Sequence, residues 1–385
     1  MTTSSPSPDD CLALWWRGEV RVPEPQLIAW ARRARLLPLL GWRAQARGWQ
    51  LPEMLQETIR RRRREVTVSQ ALVHEQLRAL GATAAELGIP VILVKGAAAA
   101  ELYPASWMRP YGDIDLLVAE DESRRLLEAL KRQGYKLAED ALGNRHGHLP
   151  PLQRAPEEPW LEIHTWLAQL QGQALFSFET WKTTLQASQR YPGLYTPHPA
   201  DHLLYLIFHG VVQHGLERSV QVLTDLKFWT EAWEERDWAE FAAKAEEAGL
   251  LRAVGLAMEL AAWFWDEPWS EEISARFPSP PATLLTRSQT AVIAGDIRNP
   301  LPHVWQHLTN QDLAGALAYL RLVLLGYPSQ RKWMSARERL RYILRRPSTL
   351  LRNYGATFQQ LVKRDPDLRA AWRTQRELQS WLRGE

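Results

Sequence analysis

Asp113 and Asp115 stand one residue apart at the start of an apolar run, Asp-Ile-Asp-Leu-Leu-Val. In a strand, residues i and i+2 share a face, so the two carboxylates point together while Ile114 and Leu116 turn toward a core. Carboxylates that close repel, and a hard divalent cation relieves the repulsion; Mg²⁺ takes oxygen ligands and commonly binds one or two carboxylates plus substrate phosphates. A third acid completes a two-metal site. Glu162, in the middle of the alternating run Trp-Leu-Glu-Ile-His-Thr-Trp-Leu and on the same face as His164, supplies it. Upstream, the apolar run Val91 to Val94 ends at Lys95-Gly96, and an alanine-rich helix follows. The free N–H groups of a helix start, the Gly96 backbone and the charge of Lys95 suit a phosphate.

Other residues are less direct. Arg109 either contacts phosphate or forms an ion pair that orders the loop before Asp113. His148 alternates with His146 on an expected strand beside the Glu162 run, where it either faces the site or is hydrogen-bonded structure. His209 and His214 lie five apart, about 140° around a helix, which disfavours a shared metal and suits packing or a pocket wall. The run Arg60 to Arg64 spreads around a helix and is read as mostly solvated. The stretch Gln-Arg-Lys-Trp-Met-Ser-Ala-Arg near the C-terminus begins a basic section with interleaved apolar residues. Such a section fits RNA phosphates, an anionic membrane surface or, more commonly, a helix packed by its apolar stripe with Arg outward.

The elements that must position these groups follow from pattern. A chain of 385 residues exceeds one comfortable core, so two or three folding units are expected. An apolar content of 45% with 24% charged residues is ordinary for a globular protein; 19 Trp residues promise large aromatic anchors. Cys11 is the lone cysteine, excluding an internal disulfide and a cysteine metal cluster. No apolar stretch reaches membrane-spanning length and the N-terminal tail is polar, so a cytoplasmic protein is expected. A net charge of +3 is too small to argue for nucleic acid by itself. Residues 1–86 read as a tail and helical pieces broken at Pro23, Pro25, Pro38 and Pro52; 87–195 alternate strand and helix; 196–385 are helical again, with a Pro-rich break.

With these residues in view the chain resembles the uncharacterised nucleotidyltransferases of the DNA polymerase β superfamily. The resemblance rests on Val94-Lys95-Gly96, Tyr103-Pro104, Arg109, Asp113-Ile114-Asp115-Leu116-Leu117-Val118, Glu162-Ile163-His164-Thr165-Trp166, and a later helix in which two His and an Asp recur. It covers roughly residues 68–229. It implies an α+β fold: a small mixed-sheet nucleotidyltransferase core flanked by helical N-terminal and C-terminal regions. It also implies transfer of a nucleoside monophosphate from an NTP, ATP being the expected donor, to a hydroxyl acceptor with release of pyrophosphate. Asp113, Asp115 and Glu162 are the expected catalytic and metal residues, for two Mg²⁺ ions; Lys95, Gly96 and Arg109 hold the nucleotide; His148, His164 and His209 are candidate pocket residues. The superfamily's Gly-Ser is here Gly96-Ala97, so Lys95 is expected to replace the serine contact. The acceptor is left open among small molecule, peptide, protein and RNA. The competing reading is a non-catalytic helical interaction or RNA-binding protein on a nucleotidyltransferase shell; three converging acids argue against it.

Overall fold

The computed structural model describes residues 11–12, 18–19, 23–137, 149–168, 175–216, 220–294, 344 and 366–385. Three helices come first: α1 (Glu24–Arg33), α2 (Leu37–Arg47) and α3 (Glu53–Leu87). The prolines open helices rather than interrupting them. Pro25 and Pro38 sit in first turns and Pro52 caps α3, where a missing N–H costs nothing. Consequently α3 runs unbroken for 35 residues, from before the arginine run to Gly88.

The sheet follows: β1 (Val91–Val94), α4 (Lys95–Ala99), β2 (Asp113–Leu117), α5 (Ser123–Arg132), β3 (Lys136–Leu137), β4 (Leu152–Gln153), β5 (Trp160–His164), α6 (Phe178–Trp181), β6 (Gln186–Ala187) and β7 (Leu194–Thr196). The strand order is β3-β4-β5-β2-β1-β7-β6. β2 lies antiparallel to β1 and parallel to β5, which makes the sheet mixed. The register sets Asp115 between Val94 of β1 and Glu162 of β5.

Alternation along the central strands gives the sheet two buried faces. Leu93, Ile114, Leu116, Leu161 and Ile163 pack in one apolar cluster with Val73, Leu77 and Leu80 of α3 and Leu126, Leu127 and Leu130 of α5. The opposite face sends Ile92, Val94 and Leu117 into a larger cluster that extends to Leu378. That cluster is built chiefly by α7 (Pro199–Ile207), α8 (Val220–Thr230), α9 (Glu235–Glu247) and α10 (Leu251–Trp265). Beyond it come α11 (Glu271–Ser274), α12 (Ala282–Ala294) and α13 (Pro366–Arg383). Trp181, Trp229, Trp238 and Trp265 are buried there, and Cys11 is sealed in the same core. The fold is α+β, as the sequence leads one to expect.

The helical region read over 196–385 is subdivided where it is described. The segment from Pro199 becomes α7, a π-helical turn (Phe208–Gln213) and α8, while Gly249, at φ 66°, separates α9 from α10. His146, His148 and all of 330–353 except Leu344 lie outside the described residues. Among the described residues no helix is long and apolar enough to cross a membrane.

Candidate functional site

Asp115 is the centre of the site and is 3% exposed. Its Oδ1 accepts from Lys95 Nζ at 2.8 Å and from His164 Nε2 at 2.8 Å. His164 Nε2 also lies 3.7 Å from Glu162 Oε2. Asp115, Glu162 and His164 each offer one ligand atom, and all three atoms fall within 4.8 Å of one another. This follows from register: β2 and β5 run side by side, and Glu162 and His164 alternate onto the face that carries Asp115. Asp113 shares that face one step nearer the strand start, where it is half-buried.

The charges are strongly coupled. Burial pushes the Asp115 carboxyl up, but the Lys95 ammonium and the His164 hydrogen bond outweigh it and hold the group below the usual carboxylate range. Burial opposes the charge on Lys95, and Asp115 more than restores it. Burial and the charge of Asp115 push Glu162 up to about 7, outweighing the pull of Lys95. Asp113 is raised for the same two reasons. His164 is lowered by burial and by Lys95. One ammonium thus faces three acids, and the two that do not accept its hydrogen bond are held toward their neutral forms.

Lys95 is itself held in an unusual backbone. Its φ is 53°, in the left-handed region, at the junction of β1 and α4. Its N–H donates to Nε2 of His202, on α7, at 3.0 Å. His202 is buried edge-on to Trp229, and burial followed by the charge of Arg109 drops its pKa to about 3, which leaves Nε2 an acceptor. Next to it, a Cβ on Gly96 would come within 2.7 Å of Tyr111 Cβ, so the position admits glycine for packing.

Arg109 makes the ion pair that the sequence offered as one of its two readings. The guanidinium is spent on Asp225 of α8, with Nε and Nη2 at 2.6 and 2.7 Å from the two carboxylate oxygens, and Nη1 donates to Gly96 O at 3.3 Å. Tyr103 also donates to Asp225, at 2.7 Å, and both partners of the ion pair are buried. The network ties the loop before β2 to the helical layer.

The histidines of the π turn are neighbours, contrary to the spacing argument. His214 N–H bonds His209 O at 3.0 Å, an i+5 contact that sets the two rings 4.4 Å apart at 80°. A straight α-helix would have separated them. Burial, then His214 and Lys95, hold His209 well below its ordinary value, and the influence of Lys95 puts this turn near the acids. Gly210 lets the turn approach α8: a Cβ there would meet Val222 Cγ2 at 2.4 Å. His148 lies outside the described residues.

Sequence reasoning missed His202 altogether, and saw Asp225 only as a recurring family aspartate. A carboxylate amid Val-Leu-Thr-Asp-Leu-Lys-Phe-Trp was a signal for a buried partner. No curated protein and no solved structure matches the chain. The acids, the lysine turn and its braces all fall within residues 22–266, the span that matches the model of the uncharacterised nucleotidyltransferases, and the chain belongs to that family.

Proposed function

We propose that the protein transfers a nucleoside monophosphate from an NTP, ATP being the expected donor, to a hydroxyl acceptor with release of pyrophosphate. The observation that carries this is the cluster of Asp115, Glu162 and His164, with ligand atoms within 4.8 Å, beside Lys95 and Asp113. The donor set fits a divalent cation: the acids outnumber the one ammonium, and two of them are raised by burial and then by the charge of Asp115. Asp115, Glu162 and His164 would hold one ion, and Asp113 with Asp115 a second, Mg²⁺ being the expected metal. Cations held there would supply charge neutralisation on the phosphate and a lowered pKa at the acceptor hydroxyl.

The chain's own groups do the rest. The Lys95 ammonium, fixed through its backbone by His202, supplies positive charge for the triphosphate. Glu162, poised near neutrality, takes the proton as the acceptor oxygen bonds to the α-phosphorus and the bond to the β-phosphate oxygen breaks. Arg109 and Asp225 keep the loop before Asp113 in place, acting on the site from behind. The acceptor's hydroxyl belongs to a small molecule, peptide, protein or RNA.

Incubating the protein with each of four α-labelled NTPs, Mg²⁺ and cell extract, then finding the labelled product by mass spectrometry, tests the reading. Label transfer abolished by Asp115→Asn supports it. Transfer that persists in that variant, or no metal-dependent NTP binding at all, removes it.

A further inference from the structure

Asp115 Oδ1 accepts twice, from Lys95 Nζ and from His164 Nε2, each at 2.8 Å. A divalent cation drawn to Asp115, Glu162 and His164 therefore meets an ammonium seated on the first of them, and two cations that close repel strongly where water is scarce. Moving Lys95 aside needs another acceptor, because an ammonium taken off its partner inside a protein is costly.

One group is placed to receive it. Tyr205 lies on α7 one turn beyond His202, and residues three apart on a helix share a face. His202 accepts the Lys95 N–H at 3.0 Å, and from the same face the Tyr205 hydroxyl looks onto the Lys95 ammonium. Among the described residues Tyr205 Oη completes no hydrogen bond, although the side chain is wholly buried. Its aim is fixed by an aromatic box: the ring centroid lies 5.3 Å from that of Phe176, 6.0 Å from that of Trp181 and 5.7 Å from that of His209. A buried hydroxyl without a partner lowers stability, and packing alone would be served better by phenylalanine at this position. The oxygen is an acceptor held in reserve beside the one ammonium of the site.

We propose that Tyr205 is a positioning residue for Lys95, its hydroxyl accepting the ammonium when a divalent cation takes Asp115. The inference rests on the nucleotidyltransferase reading, which assigns the cation to the acids and the charge of Lys95 to the triphosphate. Lys95 then has two seats. On Asp115 it balances a carboxylate that faces two further acids; on Tyr205 it keeps its charge in the site while the carboxylate serves the cation. Its backbone stays gripped by His202 in both, so only the side chain moves. Hydrogen bonds are exchanged and no proton is transferred.

The test uses the full chain, Mn²⁺ as the probe and a double-mutant cycle of Tyr205→Phe and Lys95→Gln. Mn²⁺ affinity without nucleotide is read by electron paramagnetic resonance, and melting temperature without added metal. Tyr205→Phe removes only the unpartnered oxygen, so it should melt at or above the parent's temperature while its Mn²⁺ affinity falls roughly tenfold, the displaced ammonium having lost its acceptor. Lys95→Gln removes the competing charge and should bind Mn²⁺ more tightly than the parent. In that background Tyr205→Phe should change the affinity by less than about twofold. The proposal is overturned if Tyr205→Phe binds Mn²⁺ as the parent does, if it melts lower, if its loss persists undiminished beside Lys95→Gln, or if the parent does not bind Mn²⁺. A cycle that behaves as expected in a protein that transfers no nucleotide strikes the broader reading alone.

Discussion

Asp113 and Asp115 read as twins in the sequence, and the structure gives them opposite stakes. Asp115 is the hydrogen-bonded partner of the half-buried Lys95 ammonium, so Asp115→Asn removes that ion pair and leaves Lys95 only the more distant acids Glu162 and Asp113, at a cost of roughly 3 kcal/mol. Asp113→Asn removes a repelled, half-buried acid and should leave stability equal or higher. Both should abolish transfer. Urea unfolding of the two proteins decides the matter; equal stability would mean that Lys95 does not depend on Asp115. Glu162 gives a pH prediction. A carboxyl pushed up to about 7 keeps its proton at lower pH, and a cation must displace that proton. Divalent affinity of the free protein should therefore fall as pH drops below about 7, approaching tenfold per unit, and Glu162→Gln should flatten the dependence. Mn²⁺ titration by electron paramagnetic resonance at several pH values measures both. An unchanged slope in the variant would place the titrating group elsewhere.

At the scale of elements, α7 and α8 hold the site without contributing a carboxylate to it. His202 grips the Lys95 backbone from α7, and Asp225 grips Arg109 from α8. Asp225→Asn strands a buried guanidinium and should cost about 3–5 kcal/mol, whereas a paired change to Arg109→Met with Asp225→Leu should cost much less, as thermal unfolding would show. His202 makes a prediction in acid. Its folded pKa is about 3 and its unfolded value about 6.5, so the unfolded chain binds the extra proton between them. Stability from this group is full above 6.5 and drains as pH falls toward 3, by up to about 1.4 kcal/mol per unit. His202→Gln keeps an acceptor for Lys95 N–H and should lose that part of the slope; a variant with the parent's acid profile would refute it. These braces explain what was legible. Asp113, Asp115, Glu162 and Lys95 show in sequence because charge on short apolar runs is a local anomaly. The bonds of His202 and Arg109 span 107 and 116 residues, and local sequence does not say which partners they join. The π turn was hidden because it interrupts a helix without a proline or a change in composition.

Across the whole molecule the site faces the larger of two cores, and that core is closed by the last helix. Leu378 of α13 is fully buried in it, and Gln375 and Gln379 donate to Gly215 O and Val212 O around the π turn. Removing residues 366–385 should therefore loosen the turn that carries His209, read as faster amide exchange across 208–216 with the β2 to β5 strands still protected. Uniform protection in the truncated chain would show that the turn stands alone. The strands and helices of the core were legible from alternation, and the α+β class with its mixed sheet from the family resemblance. The unbroken α3 was not, since proline reads as a breaker until its position in the first turn is known. That helix is a rod of about 52 Å at 1.5 Å per residue. Its second half is locked under the sheet through Val73, Leu77 and Leu80, and its first half presents Arg61 and Arg62. Residues 67–69, between the buried Val66 and Gln70, are exposed or half-exposed and make few demands on side-chain identity. Their number is another matter: gaining or losing one residue turns the arginines by about 100° relative to the locked half. This stretch should tolerate nearly any composition and almost no insertion or deletion, the reverse of a surface loop, because what it stores is helical phase.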